Sequence, residues 1–157
     1  MKPGSGSQGR MWRLRGIVVA SVTSAMLASG AAGAAQSMSQ AEVNDTLRNT
    51  QSIYNGLYLA AIIYEIVQQC EELRGPNRLE RTAYLLGLYN QARRMGFSRD
   101  QIEGFIEDDV EKARMDALVR NYIESRGARL DDPASVCALG RNEMAAGTPV
   151  GERLRER

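Results

Sequence analysis

The chain has 157 residues, 43% of them hydrophobic and 25% charged, with a formal net charge of +1, no histidine and two cysteines. That length holds one domain and a processed segment. The lack of histidine removes the usual base for a catalytic thiol, and two thiols fall short of the four ligands a zinc site normally takes.

Residues 1–35 read as a secretory signal peptide. Lys2, Arg10, Arg13 and Arg15 form a basic start without an acid, followed by the apolar "GIVVASVTSAMLA" (16–28). Small residues in "SGAAGAAQS" then offer cleavage after Ala34 or Ala35. Met11 is an alternative start. The apolar run is shorter than a spanning helix, so no stable membrane anchor is expected after cleavage. No cysteine near the cleavage region offers a lipid anchor, and no paired arginine precedes the apolar run, which favours the general export route. Cleavage removes four basic residues and no acidic one, turning the net charge from +1 to −3. That balance gives no electrostatic case for nucleic-acid binding. The expected address is the periplasm.

Export bears on the two cysteines, Cys70 and Cys137, both of which survive processing. An oxidising compartment favours a bond between them over free buried thiols or a redox or metal role. The bridge would close a loop of 67 positions, a constraint that stabilises the fold by about 4 kcal/mol on chain-entropy grounds.

Residues 36–52 read as a polar lead-in with room for one short helix, ahead of a helical domain over 53–157. "LYLAAIIYEIV" (57–67) carries one charge, Glu65, and its apolar residues fall in two helical rows, 54–58–62–66 and 53–57–60–64–67. Such a helix sits at the centre of a bundle. Cys70 extends the first row and should face inward near the helix end, with "RGP" (74–76) as the stop. A second helix is expected over about 77–95, capped by Asn77, with Leu79, Ala83, Leu86 and Asn90 on one face, Leu85, Leu88 and Tyr89 beside it, and Gly96 closing it.

Ser98 and Gln101 form a capping box. Ile102, Phe105, Ile106, Val110, Ala113, Ala117, Leu118 and Tyr122 follow at helical intervals, in one helix or in two meeting near Asp108–Asp109, and Gly127 is the natural stop. A last helix starts with Asp132 as cap and Pro133 in the first position and ends at Gly147; Thr148–Pro149 begins a short terminal turn. No stretch alternates convincingly enough for a strand. The expected fold is all-α, a small bundle of four to five helices with one disulfide. The bridge requires the end of the central helix to meet the start of the last one.

The side chains that might carry chemistry have plainer readings. Glu107, Asp108, Glu111 and Lys112 in "IEDDVEKARMD" read as a solvated helix face, without the alternating ligands and glycine of a calcium loop. Glu124–Ser125 is reminiscent of the catalytic glutamate of lytic transglycosylases, yet the glycine-rich segment that should follow is missing. Glu65 is the candidate buried carboxylate and should face an arginine or a gap to solvent. Tyr54, Tyr58, Tyr64, Tyr84, Tyr89 and Tyr122 read mostly as core or core-edge positions, with a partner surface as the alternative. Arg153, Arg155 and Arg157 form a basic tail, solvated or touching an acidic lipid or partner. No catalytic, cofactor or metal residue is assigned.

Four stretches carry a resemblance: the cysteine after "YEIVQQ", "GFSRDQIEGFIEDDVEKAR" (96–114), "YIESRG" (122–127) and "DDPASVCALGRNEMAAGTPVGERLR" (131–155). Over most of 55–155 the chain resembles a family of small exported proteins from the Rhodobacter and Roseobacter group of alphaproteobacteria, catalogued as a domain of unknown function (the 5333 family). The resemblance implies an exported helical domain with paired cysteines and brings no catalytic residues. The expectation is a non-catalytic periplasmic protein that binds a protein partner or supports an envelope complex. The rivals are an acid-protective chaperone, an immunity-type inhibitor, and an envelope hydrolase using Glu124 or Glu107.

Overall fold

The computed structural model describes residues 38–157, so the leader and its cleavage positions lie outside the described residues. Six helices follow one another: α1 (Gln40–Asn49), α2 (Gln51–Gln69), α3 (Arg78–Arg94), α4 (Arg99–Glu107), α5 (Asp109–Ser125) and α6 (Pro133–Ala146). The count exceeds the expected four or five for two reasons. The stretch 36–52 contains a full helix, and 99–126 divides at Asp108, whose side chain caps α5 by accepting from the backbone N–H groups of Val110 and Glu111.

The segment read as a polar lead-in is part of the core. Ser39 and Glu42 form a capping box that starts α1, and Val43 and Leu47, one turn apart, are fully buried. Burying such side chains stabilises the fold by about 1.5–3 kcal/mol each. They pack with Ile53, Ala92, Phe97, Ile102 and Phe105 into one apolar cluster. A second cluster gathers Ile62, Ile66, Leu73, Ile123, Val136 and Leu154. Helix α2 contributes to both, Ile53 at one end and Ile66 at the other, and is the central helix its two apolar rows predict. Tyr64 departs from that reading: it is 56% exposed.

Helix α2 ends earlier than expected, at Gln69, and residues 73–74 form a short strand where only a helix stop was read. This β1 (Leu73–Arg74) pairs antiparallel with β2 (Arg155–Glu156), Leu73 opposite Glu156. No strand was expected because two residues are too few to show alternation. The pairing follows from Leu73 and Leu154, both buried, which bring the two backbones side by side.

Cys70 caps α2 and is bonded to Cys137 in α6, with their Cα atoms 5.1 Å apart. The two helix ends therefore meet as the bridge requires. At its own start α6 has Asp132 as cap, its side chain accepting from Ser135 N–H, and Pro133 in the first turn. It stops at Gly147, whose φ of 62° lies in the left-handed region that favours glycine.

Two helices bury faces other than those expected. On α3 the row Leu79, Ala83 and Leu86 points outward, Leu79 being 78% and Leu86 52% exposed. Tyr84, Leu88, Tyr89 and Ala92 turn inward instead, and the Tyr84 hydroxyl donates to the Gly56 carbonyl at 3.1 Å. Gly56 fixes how closely α3 approaches α2: a Cβ there would stand 2.7 Å from a Leu88 methyl. On α5 the buried residues are Glu111, Val119 and Ile123, while Val110, Ala113 and Ala117 face outward, Val110 at 65% exposure, as does Ile106 near the end of α4. The expected row sits one position off the true one. It was drawn through apolar side chains, and the true row begins with a carboxylate.

Candidate functional site

A half-open groove of about 560 Å³ lies between the second half of α2, the start of α3 and the C-terminal segment. Its floor is apolar, made by Leu59, Ala60, Ile63 and Val67 of α2. Leu59, Ala60 and Val67 are part-exposed there, and Ile63 is buried beneath them. Tyr64 and Tyr84 stand at the walls, and Gly75 keeps the β1–α3 connection close, its missing Cβ position only 3.1 Å from Ile63.

The rim is basic. Arg74 on β1, Arg81 on α3, and Arg153 and Arg155 on the C-terminal segment surround the opening, with Glu80 and Glu152 among them. Among the described residues none of these four arginines has a carboxylate within 4.0 Å, whereas Arg48, Arg99, Arg114, Arg126, Arg129 and Arg141 do. Uncharged groups orient three of the four. Arg74 Nε donates to the Glu156 carbonyl at 3.2 Å, Arg155 Nη1 donates to the carbonyls of Glu152 and Leu154 at 2.6 Å, and the Arg153 guanidinium lies 4.8 Å from the Tyr84 ring centroid. Glu80 is engaged elsewhere, accepting from Asn77 N–H in the capping box that starts α3.

The expected basic tail is thus a fixed wall. Arg157 donates from its backbone N–H to the Glu72 carbonyl at 3.0 Å and from Nε to the Leu73 carbonyl at 3.2 Å. Upstream, the segment is held by Glu143 of α6, a carboxylate only 5% exposed. Arg126 Nε pairs with it at 2.9 Å, the Thr148 hydroxyl donates to it, and Thr148 Oγ1 in turn accepts from Gly151 N–H at 3.1 Å. The Arg126 guanidinium also lies over the Tyr122 ring, 3.6 Å from its centroid. Burial, and then the Glu143 carboxylate beside it, raise the Tyr122 phenol well above the ordinary tyrosine range.

Glu111, expected on a solvated face, is 7% exposed and paired with Arg48 of α1 and, at 3.6 Å, with Arg114. Lys112 pairs with Asp109 at 2.7 Å. Burial, and then the charge of Glu111, raise the Tyr54 phenol. Glu65 is half-buried and accepts from Gln69 Nε2 at 3.2 Å, at the edge of a shallow polar dent lined also by Arg120, Glu124 and Arg129. Glu124 and Glu107 are exposed, Glu107 at the end of α4 and Glu124 near the end of α5, so most of the length of α5, roughly 20 Å, separates them. They do not form one site. Among the described residues no three cysteine or carboxylate side chains converge as a metal set would. No described helix is long and apolar enough to cross a membrane.

Sequence reading singled out Arg153 and Arg155 but missed Arg74 and Arg81. The signal was present: "RGPNRLER" (74–81) is as arginine-rich as "GERLRER" (151–157), and the two basic stretches meet across the β1–β2 pair.

No curated protein and no solved structure matches the chain. Residues 45–155 match a family of unknown function, DUF5333. The match begins within α1 and runs into β2, so it takes in the groove and its four arginines as well as both cysteines. The chain is a member of the DUF5333 family.

Proposed function

We propose that this protein is a non-catalytic periplasmic binding protein that holds a protein partner, or a component of an envelope complex, in the groove between α2, α3 and the C-terminal segment. The observation that carries the reading is the combination in one concavity of a part-exposed apolar floor and four arginines without carboxylate partners, three of them oriented by neutral groups. A binding surface needs both: the floor supplies affinity through buried area, and the polar rim supplies orientation. Tyrosine and arginine, which stand at the groove walls, are the residue types enriched at protein interfaces.

Support for an oxidising compartment comes from the Cys70–Cys137 bond, which is compatible with export. The bond also serves the site, since it ties the end of α2, which carries the floor, to α6, which anchors the C-terminal wall.

The test is site-specific photo-crosslinking in intact cells from Tyr64, at the groove, and from Arg94, on the far part of α3. The expected result is a discrete adduct from Tyr64 that is absent from Arg94 and is lost when Ala60→Trp fills the groove. Adducts that are the same from both positions, or that survive the filled groove, contradict the reading.

A further inference from the structure

The groove's chemistry specifies the kind of segment it holds. We infer that the groove takes an acidic, extended peptide segment of the partner, carrying one or two apolar side chains, with its carboxylates read by Arg81, Arg153 and Arg155. The inference rests on the partner-binding reading above.

Charge complementarity is the first support. Four arginines and two glutamates line the groove, an excess of two positive charges, on a chain whose net charge without residues 1–35 is −3. The groove is therefore opposite in sign to that net charge. The excess is also uncompensated, because none of the four arginines has a carboxylate partner among the described residues. Backbone carbonyls and the Tyr84 ring hold three of the four guanidiniums in place. Orientation by neutral groups lowers the ordering cost of binding without neutralising the charge. A guanidinium presents a planar fork that matches a carboxylate.

Dimensions are the second support. The floor residues Leu59, Ile63 and Val67 recur every four positions along α2, so the trough is about 12 Å long. That length accommodates about three to four residues of extended chain. An apolar side chain of such a segment would lie on the α2 floor while its acidic neighbours reach the arginines on either wall. A lipid bilayer fits less well, since it wants a convex or flat basic face and gains little from a concave one on an acidic protein.

The experiment uses the disulfide-bonded protein and a fluorescent hexapeptide of four glutamates around a leucine–phenylalanine pair, followed by anisotropy up to millimolar protein. Binding is expected, weakening as salt rises from about 0.05 to 0.3 M. A counterpart with lysines in place of glutamates, and an all-glutamate peptide without the apolar pair, are each expected to bind at least about tenfold more weakly. Arg81 makes no contact that the fold needs, so Arg81→Glu should melt like the parent and lose about tenfold in affinity. Arg155→Glu should lose affinity likewise, with a lower melting temperature because its hydrogen bonds to the Glu152 and Leu154 carbonyls go, and Arg94→Glu should change nothing. Equal binding of the lysine peptide, indifference to Arg81→Glu, or association with phosphatidylglycerol vesicles in place of the peptide overturns the inference. The two levels separate cleanly. If the hexapeptide fails while the Tyr64 adduct still forms and still vanishes with Ala60→Trp, the acidic specificity falls and partner binding stands. Loss of the adduct removes the reading beneath it.

Discussion

Glu143 and Thr148 are five positions apart across the end of α6, and the Thr148 hydroxyl donates to the Glu143 carboxylate while Arg126 pairs with its other oxygen. This small buried network fixes the direction in which the chain leaves α6, and so places the wall that carries Arg153 and Arg155. Replacing Glu143 by alanine leaves the Thr148 hydroxyl without its carboxylate acceptor and removes the Arg126 pair. Arg126 is part-exposed, which moderates the loss. Glu143→Ala is expected to cost about 1–3 kcal/mol in urea unfolding, and to speed proteolysis after residue 147 ahead of any cut in α2.

Gly151 offers a sharper steric test of the same wall. A Cβ built there would stand 2.0 Å from the Glu143 carbonyl oxygen, a backbone atom with no rotamer to give way. Gly151→Ala should therefore destabilise by about 1–3 kcal/mol. At Gly87, where nothing lies within 4 Å of the built Cβ, alanine should stabilise α3 by roughly 0.5–1 kcal/mol. Paired denaturation curves read both changes.

The buried phenols set a limit at high pH. Tyr122, Tyr54 and Tyr58 are all raised in the fold, in each case first by burial, whereas in the unfolded chain they titrate near 10. Below about pH 10 both states hold these protons, and stability is unaffected by them. Above it the unfolded chain releases protons that the fold retains, so unfolding becomes progressively more favourable. The urea midpoint should fall between about pH 9.5 and 11.5, and Tyr122→Phe should flatten that fall.

The faces of α3 and α5 can be checked by substitution alone. Ile123→Ala should cost about 2–5 kcal/mol, because Ile123 is fully buried. Val110→Ala and Leu86→Gln should each stay within about 0.5 kcal/mol. The opposite ordering would restore the outward row to the core.

These two helices also show what was legible in the sequence and why the rest was not. Helix ends were readable because capping is local chemistry: Asn77, Ser98, Asp132 and Gly147 act within a turn of themselves. The disulfide was readable from ligand count, the lack of histidine and the expectation of an oxidising compartment. The direction of a helix face was not, because α3 and α5 have apolar residues on more than one side, and α5 has a buried glutamate on the packed one. Glu111 follows the spacing of Val119 and Ile123, and Glu143 that of Val136 and Leu139. Their burial depends on Arg48 of α1, Arg114 of α5 and Arg126 just past α5, two of which lie outside the helix of the glutamate they pair with. Only the assembled fold brings such partners together. The groove was hidden for the same reason, its arginines lying in two stretches more than seventy positions apart.

The most direct test of the central claim, that the groove is the binding surface, is to map the acidic hexapeptide by NMR on the nitrogen-15-labelled protein. The largest amide shifts are expected at Leu59–Gln68, Arg74–Tyr84 and Glu152–Arg155, with α4 and the first half of α5 still. Shifts centred instead on Leu85–Arg94, or on Arg120–Asp131 beside the dent, would contradict it.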